Sequence, residues 1–238
     1  MLLLVSVVNS EEARNAVDGG ADLIDAKDPT TGALGAVSLA ALRQIHGIVA
    51  GRRVVTAAIG DDLDEANIER AAFDYGSMGV GFVKIGFASI TDPSRVDRLL
   101  TLAVRGVRAT GQADCGVVAV AYADTDGDTS VERTALVDIA ARTGATGVLL
   151  DTADKNGPSL PHLVSPASLE AWVGMAHDAG LTVALAGRLT ADDLSFIRNT
   201  GADIAGVRGA ACATGRSSRI VEERVRTLKA RTDHSFVV

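Results

Sequence analysis

One plan repeats along the whole chain. A short aliphatic run ends in a polar or glycine-rich turn, a helix-length segment follows, and the next aliphatic run begins. The runs fall at about 2–8, 22–26, 53–59, 80–85, 115–122, 146–151, 181–186 and 203–207. None alternates apolar with polar residues, which marks strands buried on both faces and hence a parallel sheet covered by helices. Helix starts such as Ser10-Glu11-Glu12 and Asp92-Pro93, and stops such as Gly19-Gly20 and Gly144, separate the strands. The spacing, roughly thirty residues, is that of one strand–helix unit. Eight units without a linker predict an α/β chain, a single (β/α)8 TIM barrel over residues 1–238 as one domain. A doubly wound open sheet is the competing architecture, but no Gly-x-Gly-x-x-Gly turn follows an early strand.

Composition narrows the partners. Only eight residues are Phe, Trp or Tyr, so the core must be built from Val, Leu, Ile and Ala. A net charge of -7 argues against nucleic acid, whose phosphate backbone requires basic surface. The opening Met1 to Val8 lacks a basic leader, and no apolar run is long enough for a bilayer; a soluble cytoplasmic chain with no membrane partner is expected. Cys115 and Cys212 have neither metal-ligand nor disulfide spacing and read as small buried residues. Asp124, Asp126 and Asp128 lack the other positions of a calcium loop and read as a solvated turn. No metal and no organic cofactor is expected, and self-association is left open.

The chemistry lies in the lysines. Nineteen arginines accompany only Lys27, Lys84, Lys155 and Lys229. A lysine amine can lose its proton in a dry or cationic site and form an imine with a carbonyl, which a guanidinium effectively cannot. Lys229 falls on the polar face of the last helix. Lys27 follows the second strand, Lys84 interrupts the fourth, and Asp151 ends the sixth with Lys155 just beyond. Barrel chemistry sits at the C-terminal ends of strands, and alternate strands share an interior layer, so the even-strand residues are predicted to converge. Lysines brought together lower at least one pKa, creating a nucleophile; Asp151 and Lys155 would then transfer protons. Lys84 either joins them or pairs with Asp25, which is also placed against the substrate.

The turns after strands seven and eight carry Gly187-Arg188 and Arg208-Gly209. In barrels these loops commonly hold phosphate, glycine permitting close approach of the backbone and arginine supplying charge. The residues by themselves reach a Schiff-base enzyme acting on a small phosphorylated carbonyl compound. They leave open a class I aldolase or isomerase acting on another sugar phosphate, and a non-catalytic phosphometabolite-binding barrel.

Three stretches are more specific: Asp25-Ala26-Lys27-Asp28-Pro29 with Gly32-Ala33-Leu34-Gly35, Gly81-Phe82-Val83-Lys84-Ile85-Gly86, and Leu150-Asp151-Thr152-Ala153-Asp154-Lys155. Together they resemble the (5-formylfuran-3-yl)methyl phosphate synthase family of methanofuran biosynthesis, a likeness spanning essentially the whole chain. The resemblance implies a carbon–oxygen lyase of one-carbon metabolism. Such an enzyme condenses two molecules of glyceraldehyde 3-phosphate into 4-(hydroxymethyl)-2-furancarboxaldehyde phosphate, releasing phosphate and water. It also implies that Lys27 forms the imine, that Asp151 and Lys155 move protons, and that Lys84 assists as a charge or acid.

Overall fold

The computed structural model describes residues 1–61, 64–125 and 127–233. Eight parallel strands, β1 Leu2–Val7, β2 Leu23–Ala26, β3 Val54–Ala58, β4 Phe82–Gly86, β5 Gly116–Tyr122, β6 Gly147–Asp151, β7 Thr182–Leu185 and β8 Ile204–Val207, pair in sequence order, and β8 returns to β1 to close the barrel. The (β/α)8 expectation is met. Most strand residues are buried because one face meets the barrel interior and the other the helices, which is why the sequence shows continuous aliphatic runs.

The helices α1 Ser10–Asp18, α2 Leu39–Val49, α3 Ile68–Gly76, α4 Pro93–Ala109, α5 Arg133–Thr143, α6 Leu160–Leu163, α7 Pro166–Asp178, α8 Asp193–Asn199 and α9 Glu222–Asp233 surround it. Their starts follow local chemistry. Asn9 Oδ1 accepts the Glu12 N–H at 2.9 Å, and Asp92 caps α4 by accepting the Ser94 N–H at 2.9 Å ahead of a first-turn proline. The larger apolar layer, including Leu3, Ile24, Leu42 and Leu99, lies between strands and helices. A smaller one, including Leu4, Leu23, Leu34, Val120 and Ile204, fills the barrel interior.

Two regions depart from the sequence reading. The short α6 lies within the stretch after the sixth strand that the sequence reads as a loop. The last helix, expected from Arg216, begins at Glu222; residues 212–220 instead form a small hairpin closed by a Cys212–Ile220 bridge and an Ala213 N–H to Arg219 carbonyl bond of 3.0 Å. Gly215, at φ +146, turns the chain there in a conformation that side-chain-bearing residues rarely adopt. Of the acidic turn after β5, Asp126 lies outside the described residues, while Asp124 accepts the N–H groups of Ala153 and Asp154, both at 2.7 Å.

Candidate active site

Strand register assembles the floor of the site. Ser6 on β1 is level with Asp25 on β2, and Asp25 with Thr56 on β3. The Ser6 hydroxyl donates to Asp25 Oδ2 at 2.9 Å and the Thr56 hydroxyl to Oδ1 at 2.7 Å. Lys84 crosses from β4 and sets its Nζ 2.5 Å from the same Oδ1. Asp25 has no exposed surface, and although it borders the cavity its oxygens are taken up by protein donors. Burial alone would raise its pKa, but the charges of Lys84 and Lys27 and these donors hold it below the usual aspartate range. For Lys84 burial wins over the pull of Asp25, and the nearby Lys27 adds to the fall.

Above this floor a second carboxylate takes two lysines. Lys155, in the loop after β6, donates from Nζ to Asp151 Oδ1 at 2.7 Å and to the Thr152 carbonyl. Lys27 approaches Asp151 Oδ2 at 3.8 Å, too far for a hydrogen bond, and among the described residues that buried oxygen has no hydrogen-bond partner. Burial raises the Asp151 carboxyl, yet the cations of Lys155 and Lys27 prevail and hold it at about 2. Burial also pushes the Lys155 amine down; Asp151 pulls it back, and Lys27 and Arg216 add to the push. The even-strand residues thus converge as the sequence predicted, whereas Lys229 lies apart and pairs with Asp22 and Asp233.

These groups line a cavity of about 630 Å³ that also meets Gly187, Arg188, Arg208, Gly209 and Arg216. After β7, Gly187 and Arg188 both have positive φ, 107° and 55°. Arginine is uncommon in that conformation, a local strain of the kind that gathers at binding turns. Arg208 lines the cavity, but its guanidinium is already spent. Nη1 donates to the Ser6 carbonyl and to Glu12 Oε2, both at 2.9 Å; Nη2 reaches Glu12 Oε1 at 3.3 Å and the Ser218 carbonyl at 3.5 Å; Nε donates to the Arg216 carbonyl at 2.6 Å. Arg208 therefore fastens the turn, and the side chain facing the cavity from the next loop is Arg216, which the sequence reading had placed in a helix. The Gly215-Arg216-Ser217-Ser218 run, a turn signal, could have located it.

The opposite side of the mouth is sealed. The loop after Lys27 turns back through an Asp28 N–H to Gly35 carbonyl bond of 2.8 Å, and Leu34 enters the interior cluster with Tyr122. Gly35 admits no side chain, because a Cβ there would lie 2.2 Å from the Asp28 carbonyl oxygen. Tyr122 donates its hydroxyl to Asp61 behind this plug. Among the described residues no group of three His, Cys, Asp or Glu side chains is placed to hold a metal, and no helix is long and apolar enough to cross a membrane.

The structure defines the class: a closed (β/α)8 barrel with three lysines and two buried carboxylates clustered around one cavity. Comparison with known proteins narrows it. Residues 3–229 match the family model described as 4-HFC-P synthase. The chain is 36% identical over 231 residues to the (5-formylfuran-3-yl)methyl phosphate synthase of Methanosarcina barkeri, covering 97% of this chain and 98% of that one. It is 37% identical over 218 residues to the synthase of the same name from Methanopyrus kandleri, covering 91% and 92%. The chain belongs to this family. Among solved structures it is similar in fold to 3-hexulose-6-phosphate synthase, with TM-score 0.66, 19% identity and coverage of 97% and 99%. It is likewise similar to deoxyribose phosphate aldolase from Aeropyrum pernix, with TM-score 0.68, 17% identity and coverage of 97% and 89%.

Proposed function

We propose that this protein condenses two molecules of glyceraldehyde 3-phosphate into 4-(hydroxymethyl)-2-furancarboxaldehyde phosphate through an imine on Lys27, as a step of methanofuran or analogue biosynthesis. Family membership supports the product. The observation that carries the mechanism is Lys27 itself: a cavity-facing amine that makes no hydrogen bond among the described residues and stands beside a carboxylate oxygen that also lacks one.

Lys27 Nζ adds to the aldehyde carbon of one triose phosphate, and loss of water gives the imine. Asp151, ionised in the resting site, accepts the proton from the adjacent carbon; Lys155, hydrogen-bonded to the other carboxylate oxygen, relays protons to and from substrate oxygens. These transfers interconvert aldehyde and ketone forms, after which the second triose supplies the remaining three carbons. Lys84 contributes fixed positive charge through Asp25. Atom balance requires loss of one phosphate and two waters, so the reaction is a condensation coupled to eliminations and needs no external oxidant or reductant. The backbone turns at Gly187-Arg188 and Arg208-Gly209 hold a phosphate.

The test is to incubate the purified protein with glyceraldehyde 3-phosphate alone and follow furan-aldehyde absorbance together with inorganic phosphate. One phosphate per furan is expected. Conversion to another sugar phosphate without phosphate release would replace this reading by an aldolase or isomerase, and binding without turnover by a metabolite-binding barrel.

A further inference from the structure

Charge in the mouth is unbalanced. Three lysines face two aspartates, Lys27 and Lys155 sharing Asp151. Arg216 adds another cation to that wall and brings no acid with it. It lines the cavity with Lys155, Asn156 and Arg188, and among the described residues its guanidinium makes no hydrogen bond or ion pair. Burial pushes its pKa down, Asp151 pulls it back, and Arg208 adds to the push.

Arg216 is half-buried at the cavity wall, so its guanidinium stays hydrated at rest and is placed to meet an anion that enters the cavity. The arginine is not on a loose segment. Its carbonyl accepts from Arg208 Nε at 2.6 Å, and Arg208 is itself locked to Glu12. The hairpin is tied again where the Thr214 N–H donates to Ser218 Oγ at 3.0 Å. The backbone of residue 216 is fixed while its donors are unspent.

We propose that Arg216 is a substrate-phosphate ligand that holds the phosphate expelled during the reaction, while the backbone turns after β7 and β8 hold the phosphate that is retained. The assignment rests on the reading above, in which one cavity takes two phosphorylated trioses. Arg216 is electrostatically coupled to both Asp151 and Lys155, the groups given the proton transfers. In the elimination a proton leaves carbon for one of these groups and the C–H electron pair becomes the new C=C bond. The C–O bond to phosphate then breaks, and the oxygen departs with the C–O bonding pair as inorganic phosphate. Negative charge grows on the departing oxygen, where a fixed guanidinium fork stabilises it.

Full-length Arg216→Ala and Arg216→Lys proteins, compared by circular dichroism with the parent, test this. Titration with inorganic phosphate in a calorimeter should show binding weakened roughly tenfold or more in Arg216→Ala, the cost of one charge-assisted contact. With glyceraldehyde 3-phosphate, borohydride should trap as much adduct as in the parent, while phosphate release slows by roughly ten- to a hundred-fold. Added guanidinium ion should restore part of the Arg216→Ala rate, and Arg216→Lys should fall between the two. Parent-like phosphate binding and release in Arg216→Ala would overturn the proposal, as would equal loss of adduct and release. If the parent protein itself traps no adduct and forms no furan, the function proposed above fails separately. The calorimetric comparison then decides for or against Arg216 as a phosphate ligand.

Discussion

Asp25 and Asp151 are buried carboxylates on even strands, and each meets a lysine, yet their surroundings differ. Asp25 is saturated: Ser6, Thr56 and Lys84 occupy both oxygens, and the residue has no exposed surface. Asp151 is half-used. Lys155 and the Thr152 N–H share Oδ1, while among the described residues Oδ2 makes no hydrogen bond and has Lys27 at 3.8 Å. A completed network fixes geometry, because breaking any part leaves a buried polar group unpaired. An incomplete one can accept a proton or a new partner without first breaking a bond. The same two residue types thus make a closed network in one place and an open one in the other, and the number of unspent donors and acceptors separates them.

The largest expected effect breaks the open network. Lys27→Arg keeps the charge and removes the imine-forming amine, so turnover should fall by roughly 10⁴-fold or more, as for loss of a covalent nucleophile. Borohydride should trap no adduct while the melting temperature stays near the parent's; an adduct persisting in this variant would refute the assignment. Next comes the closed network. Asp25→Asn leaves Lys84 buried without its counter-charge and should cost about 3–5 kcal/mol in urea unfolding. Replacing both, as Asp25→Leu with Lys84→Met, should recover much of that stability but not activity; additive losses in the double variant would show that the pair is not coupled.

The smallest effect sharpens the contrast by pH. Asp151 has a folded pKa of about 2, below its ordinary 3.8. The stability linked to it is therefore complete above the ordinary value and lost as pH falls from there toward the folded one, about 2 kcal/mol in all. Urea midpoints measured between about pH 5 and 2 should fall, and fall less steeply in Asp151→Asn; identical slopes would contradict the assigned cause.

The barrel was legible in the sequence because strands buried on both faces read as unbroken aliphatic runs, and because Gly and capping residues punctuate the helices. The lysine centre was legible for a related reason: Lys84 within such a strand has few places to go except inward. What the sequence hid depends on distant closure. Nothing local pairs Arg208 with Glu12, 196 positions away, so its guanidinium read as a free phosphate ligand. Arg216 was hidden by its neighbourhood, since the following segment has helical composition and the strand-end turn extends further than local signals suggest. Leu34 likewise reads as one more residue of a long loop until the ring of strands gives it an interior to enter.

The Glu12–Arg208 clasp has a consequence for the life of the chain before it works. The two partners stand 196 positions apart, and the hairpin bearing Arg216 hangs on their union. Until the eighth strand docks against the first, Arg216 has no fixed position and the turn after β8 no anchor. Contacts this distant form late, because the intervening chain must first be ordered. A chain in which β8 has not yet reached β1 therefore holds Lys27, Lys84 and Lys155 without the arginine that shares their cavity in the finished barrel.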